Sequence, residues 1–184
     1  LRCSVTASGF WIGVESMPRS VLRAALQHER PIFCGRQPVD NVLQTQLGDM
    51  SERAEWHEVA LGTPIGQGYL LDLLRQRLPV DRVVLSLAVS ESGYYSTHKT
   101  PLDRLLAQAR DVVEALLVVS RGAEAVMDPN IGASMTIMLG DCGESATPLT
   151  EGLAAFVTRF TQAESKRWAE MGLSLGVERA ASGE

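Results

Sequence analysis

Three clusters of residues carry types and spacings that could do chemistry. The first is the string G-T-P-I-G-Q-G, with Gly62, Thr63, Gly66 and Gly68 between a short apolar run and an apolar stripe of helical period. Glycines at such a strand-to-helix turn let the backbone approach a phosphate, and the helix N-terminus adds N–H groups and a favourable dipole. Glu91, just past the next apolar run, stands where a ribose hydroxyl could be held. The competing role for Gly66 and Gly68 is close helix–sheet packing, and Pro64 withdraws one N–H from the cradle. The second cluster is S-E-S-G-Y-Y-S-T-H-K-T, from Ser90 to Thr100, longer than a plain strand-to-helix connection needs. Tyr95, His98 and Lys99 are its candidates for acid–base or electrostatic work, and Ser96 for ligand contact; a solvated surface loop is the alternative. The third is G-D-C-G-E-S, from Gly140 to Ser145. Cys142 before a helix N-terminus is a candidate nucleophile whose thiolate the helix end favours, with His98 as its base. Asp141 and Glu144 could position a ligand hydroxyl. A lone cysteine is more often a small apolar filler.

Short resemblances to known families stop at these fragments. Tyr95 and Lys99 have the Y-x-x-x-K spacing of the catalytic pair in short-chain dehydrogenases, where the lysine lowers the tyrosine pKa. In that family several strand–helix units separate the glycine motif from the pair, which shares a helix. Here one helix and one strand follow Gly68, and Pro101 opens a helix only after Lys99. Ser96 and Lys99 resemble the serine–lysine pair of penicillin-recognising enzymes, without the accompanying S-D-N or K-T-G. The string around Cys142 resembles the nucleophile region of chymotrypsin-like viral cysteine proteases, an all-β family at odds with the helical periodicity here. No G-x-x-x-x-G-K-[ST] is present, which excludes a P-loop, and neither His28-Glu29 nor His57-Glu58 continues to H-E-x-x-H. His28 reads as complementing a helix end and His57 as structural. No motif names a cofactor or a metal.

The elements that must position these residues follow from apolar period and proline. Thr100 caps and Pro101 opens a helix to about Ser120, with Leu102, Leu105, Leu106, Ala109, Val112, Val113, Leu116 and Leu117 inward and Gln108, Asp111 and Glu114 opposite. Further helices open at Thr63-Pro64, at Thr147-Pro148, at Ser16-Met17-Pro18 and, less sharply, at Pro38. The runs Arg82 to Val89 and Ala133 to Leu139 read as buried strands; His57 to Leu61, Pro31 to Cys34 and Phe10 to Val14 are shorter ones. Ala123 to Met127 reads as a further edge strand. Strand and helix alternate five times, which predicts a three-layer α/β domain over residues 1–171: a mostly parallel sheet of about five strands with helices on both faces. The rival is an α+β sandwich with antiparallel N-terminal strands. Residues 172–184 turn small and polar and read as a frayed tail. If the sheet is parallel, every strand-to-helix connection emerges at its carboxyl edge, where open sheets bind ligands.

Composition bounds the function classes. Lys plus Arg is 17 and Asp plus Glu is 22, a net charge of −5. That balance opposes nucleic-acid and anionic-membrane surfaces, while leaving room for a local site that holds a small anionic ligand. The longest charge-free apolar stretch is too short to span a bilayer, which takes about 20 residues. Three scattered cysteines argue against a disulfide scaffold or zinc site and for a reducing compartment, and no leader pattern follows Leu1, so a cytoplasmic location is expected. The sequence thus predicts a small-molecule-binding, enzyme-like domain whose ligand is a nucleotide or another phosphorylated compound at the sheet's carboxyl edge. The alternative is a non-catalytic subunit whose loops meet a protein partner or a second copy.

Overall fold

A computed structural model of the chain describes residues 6–36, 47–88, 100–140 and 148–180. Six strands form one sheet: β1 (Ser8–Ile12), β2 (Pro31–Gly35), β3 (Glu55–Glu58), β4 (Val80–Leu87), β5 (Ser134–Leu139) and β6 (Ser174–Arg179), in the order β3-β2-β1-β4-β5-β6. Every pairing is parallel, from β2 against β3 to β5 against β6. The α+β sandwich is thereby excluded. The four described α-helices are α1 (Arg19–Ala25), α2 (Pro64–Gln76), α3 (Pro101–Val126) and α4 (Pro148–Glu170). The read helix at Pro38 falls in 37–46, outside the described residues.

The two-residue strand period divides the core. Phe10, Ile12, Ile32, Cys34, Val83, Leu85, Met135 and Ile137 meet α2, α3 and α4 on one face. Trp11, Phe33, Val84 and Met138 meet Leu22, Ala25 and Leu26 of α1 on the other. Thr63 and Thr100 cap α2 and α3 as expected, accepting from Gly66 N and Asp103 N. No described helix is long and apolar enough to cross a membrane.

Three expectations need correction. Residues 174–179 are not a frayed tail but the sheet's edge strand. Leu175 is buried in the core, whereas Ser174 and Glu178 are exposed; a strand apolar on one face only looks like polar coil in sequence. Ala123 to Val126 is the last turn of α3 rather than a strand, and only Met127 bridges to Val80. The inward face of α3 is also rotated. Gln108, Val112, Ala115, Leu116, Val119 and Ala123 are buried, while Leu106 and Leu117 are exposed. The helix is apolar on more than one side, so its own period did not select a face.

The histidines tie elements together. His28 pairs with Asp81 at 2.9 Å and stands edge-on to Trp11, a cross-element contact rather than a helix-end role. His57 lies 2.6 Å from Tyr69 Oη and 2.8 Å from Glu55 Oε1, pinning β3 to α2.

Farther out, Arg167 of α4 forks onto Glu124 of α3 and also bonds Glu164. These guanidinium bonds, with a further one from Arg121, hold Glu124 down at about 2 despite partial desolvation. A depressed carboxyl stabilises the fold fully above its unfolded value and loses that contribution as pH falls through the folded one. Glu124→Gln is therefore expected to cost about 1–2 kcal/mol at pH 7 after solvent screening. Urea titrations should show that difference shrinking from near pH 4.5 and vanishing near pH 2. A pH-independent difference would deny the ion pair this role.

Candidate functional site

The turn after β1 begins at Gly13, whose φ of +81° favours glycine. A Cβ there would also lie 2.5 Å from Ser86 O of β4. Gly13 thus lets the first strand-to-helix turn close against the neighbouring strand. Its N–H donates to Cys34 O of β2 at 2.8 Å, so one residue ties together three strand ends. Val14–Ser16 then form a single 3-10 turn. Ser16 Oγ lies 2.9 Å from Gly13 O and 2.7 Å from Ser86 Oγ. With one proton given to the carbonyl, Ser16 accepts from Ser86.

Above these strand ends lies a cavity of about 390 Å3. After β1 the chain runs outward to β2 and β3; after β3 it crosses back to β4 on the other side of β1. That reversal opens the crevice in which doubly wound sheets bind ligands. Ile12, Val59, Leu61, Leu87, Val112 and Ala115 give it an apolar wall. Glu15, Ser16, Arg36, Ser86 and Asp111 give it polar groups, and Arg36 Nη2 reaches Asp111 Oδ2 at 3.5 Å. Among the described residues, no group of three or more His, Cys, Asp or Glu is arranged to hold a metal.

The carboxyl-edge expectation can be followed residue by residue. Gly62 lines the cavity, with its Cβ position 3.6 Å from Asp111 Oδ1. Thr63 sits beside it, capping α2 through Gly66 N and donating to Ala60 O. Gly66 belongs to packing: a Cβ there would stand 2.1 Å from Ala60 O. Gly68 faces open space, with nothing within 4 Å of its Cβ position. Glu91, Tyr95, Ser96, His98 and Lys99 lie in 89–99, and Asp141, Cys142 and Glu144 in 141–147, all outside the described residues.

The sequence reading missed Gly13, Glu15, Arg36 and Asp111 as individual site residues. Their signal was positional, since Gly13, Glu15 and Arg36 each follow a strand within four residues. Asp111 and Gln108 were placed on the solvent side of α3; Asp111 lines the cavity and Gln108 is buried one turn away.

Comparison with solved structures gives one consistent architecture. BdcA (YjgI) from E. coli superposes with a TM-score of 0.68 at 11% identity, covering 94% of this chain and 82% of that one. A short-chain type dehydrogenase/reductase from Mycobacterium marinum gives 0.70 at 14%, covering 93% and 72%. The bulky-bulky ketone specific alcohol dehydrogenase from Comamonas testosteroni gives 0.67 at 14%, covering 95% and 72%. The fold is that of the short-chain dehydrogenases. A further BdcA structure is a complex with NADPH. No protein-family model matches the sequence, and no curated protein matches it.

Tyr95 and Lys99 lie in 89–99, outside the described residues, and this likeness of fold says nothing of their pairing.

The residues present do not fit a pyrophosphate cradled by backbone. Such a cradle has the register G-x-G-x-x-G: the first glycine for the turn, the second for close approach, the third for helix packing. Starting at Gly13, that register puts Glu15 and Pro18 in the later places, and the G-x-x-x-G-x-G spacing seen at 62–68 would put Met17 and Arg19 there. Three of the turn's amides are also committed elsewhere. Gly13, Ser16 and Met17 give their N–H groups to Cys34, Gly13 and Val14 carbonyls, and Pro18 has none.

Cys34, beneath this turn, is fully buried, and burial pushes its thiol far above the ordinary range, with Glu55 and Glu15 adding to the shift. Native protein treated with iodoacetamide at pH 8–9 is expected to leave Cys34 unlabelled while denatured protein labels fully. Mass spectrometry of tryptic peptides decides it; native labelling at Cys34 would mean the strand ends open to solvent.

Proposed function

We propose that this chain is an enzyme-like, small-molecule-binding domain that takes a nucleoside-type ligand in the cleft between β1 and β4. The observation that carries this reading is the cavity itself. It lies at the strand-order reversal, within the usual range of about 300–1,000 Å3 for small-molecule pockets, with an apolar wall and a few convergent polar groups. The wall of Val59, Leu61 and Val112 suits a flat ring, and Ser16, Ser86 and Asp111 suit its hydroxyls. Arg36 follows β2, where dinucleotide folds place the residue that reads the ribose.

Chain connectivity joins the segment bearing Glu91, Tyr95, Ser96, His98 and Lys99 to Ala88 of the cleft wall, and that bearing Asp141, Cys142 and Glu144 to Gly140. On this reading Tyr95, His98 and Lys99 supply acid–base or electrostatic work, Cys142 an optional nucleophile, and the others ligand contacts. A thermal-shift and native mass-spectrometry series with nucleosides, nucleotides and sugar phosphates tests it. A ligand at 100 times its Kd adds about 2.7 kcal/mol, worth about 5–10 °C in Tm for a domain of this size. No shift from any compound at millimolar concentration overturns the reading.

A non-catalytic subunit is the second reading, favoured by Ile65, 86% exposed at the start of α2 and three residues beyond Gly62 of the cleft wall. On that reading Ile65→Asp lowers the mass measured by sedimentation and leaves ligand-induced shifts intact.

A further inference from the structure

We propose that Tyr69 is an acyl-accepting nucleophile, held in a Tyr69–His57–Glu55 chain of hydrogen bonds at the β3 edge of the sheet. None of the three lines the cavity described above, so this site stands whether or not the cleft binds a ligand.

Two neighbouring elements build it. The two-residue strand period puts Glu55 and His57 of β3 on one face, while α2 brings Tyr69 from its second turn and Arg77 at its C-terminus. Tyr69 Oη lies 2.6 Å from His57 Nδ1, and His57 Nε2 lies 2.8 Å from Glu55 Oε1. Arg77 donates to both oxygens of Glu55 through Nη2 and Nε, and these bonds are the first cause that holds the carboxyl below its ordinary range. Glu55 is therefore a carboxylate that can only accept, and the ring nitrogen facing it carries the proton. With the ring neutral, Nδ1 is left bare and the phenol O–H donates to it. Tyr69 thus faces a base that a carboxylate orients and, once protonated, stabilises. That is the connectivity of a hydroxyl nucleophile with its base and orienting group. His28 shows the contrast: it also pairs with a carboxylate, but its Nδ1 accepts from Arg30 N and has no hydroxyl to activate.

Exposure and charge narrow the reagent. Tyr69 is 43% exposed, so an electrophile can reach its oxygen, whereas the His57 side chain is 15% exposed and largely shielded from bulk water. Arg77, the cation nearest this chain, is committed to Glu55, which favours an uncharged carbonyl donor over a phosphoryl one. Its field still reaches Tyr69 and favours the negative charge that develops on the oxygen. Ile65, one turn before Tyr69 on α2, is exposed and offers an apolar ledge to an acyl chain. An activated ester or thioester is the donor class. Tyr69 Oη bonds to the acyl carbon, and the bond from that carbon to its phenolate or thiolate leaving group breaks. The phenol proton passes to His57 Nδ1 and from there to the leaving group, so His57 ends neutral and no oxidant or reductant is needed.

Treatment of the full chain with p-nitrophenyl acetate at neutral pH tests this, with acetylation of Tyr69 followed in time by mass spectrometry of tryptic peptides. Tyr69 in the native chain is expected to react about ten times faster, or more, than in the urea-unfolded chain, where its phenol meets no base. His57→Asn places an amide oxygen where Nδ1 stood, so it keeps the bond from Tyr69 and loses the base. The rate in that variant is expected to fall about tenfold or more while circular dichroism shows the fold retained. Glu55→Gln is expected to slow the reaction about three- to tenfold alone and not at all in the His57→Asn background, because Glu55 acts only through the ring. An equal loss in both backgrounds overturns its positioning role. A native rate no higher than the unfolded one, or a rate unchanged by His57→Asn, overturns the proposal. If His57→Asn does not fold, the native and unfolded rates of the wild type decide alone.

Discussion

Gly66→Ala is expected to destabilise the fold by about 2–4 kcal/mol, whereas Gly68→Ala, two residues on, raises stability by up to about 1 kcal/mol. The contrast comes from what each new Cβ would meet. At Gly66 it would lie 2.1 Å from Ala60 O, 2.6 Å from Ala60 C and 2.9 Å from Ala60 N. All three are backbone atoms, so no rotamer change relieves the clash. The first turn of α2 must lift away, straining the Thr63 cap and the Thr63 N–H bond to Ala60 O. At Gly68 nothing lies within 4 Å, and alanine gains only its lower unfolded-state entropy. Urea unfolding followed by circular dichroism reads both as shifts in midpoint at constant slope. If the two variants prove equally neutral, packing does not explain Gly66, and its glycine returns to the list of ligand contacts.

Trp168→Ala is expected to cost about 3–5 kcal/mol, a large share of the stability of a domain of this size. Trp168 is fully buried where α4 meets the sheet. Its carbonyl accepts from Met171 N at 3.0 Å and Leu173 N at 2.9 Å, so the turn that delivers β6 is built on the same residue. Trp168→Phe should cost less than half as much. Its smaller ring loses packing, but it also removes a buried Nε1–H that has no partner among the described residues. Denaturant midpoints test the magnitudes, and hydrogen exchange tests the location. Amides of 174–179 should lose protection in Trp168→Ala before those of β4. Equal loss across the sheet would mean that Trp168 supports the core as a whole rather than the docking of its edge.

How much was legible in the sequence depended on whether a signal was local. The caps Thr63 and Thr100, each followed by proline, fixed two helix starts, because capping involves only residues three apart. The nearly continuous apolar run of β4 marked a strand covered on both faces. Edge strand β6 escaped because only one of its faces is apolar, and a half-exposed strand of six residues resembles a polar tail. Asp111 and Gln108 escaped because α3 has apolar residues around most of its circumference, so its period pointed to a face some way from the one that packs.

The sequence alone determined the class: alternating strand and helix, parallel pairing through crossovers, and polar connections gathered at one edge. These follow from periodicity, caps and the length that a crossover requires. Strand order belonged to the tertiary structure, because nothing local records which strand β4 pairs beside. That order put the crevice between β1 and β4, making the turn at Gly13, not the glycines from 62 to 68, the counterpart of a phosphate cradle.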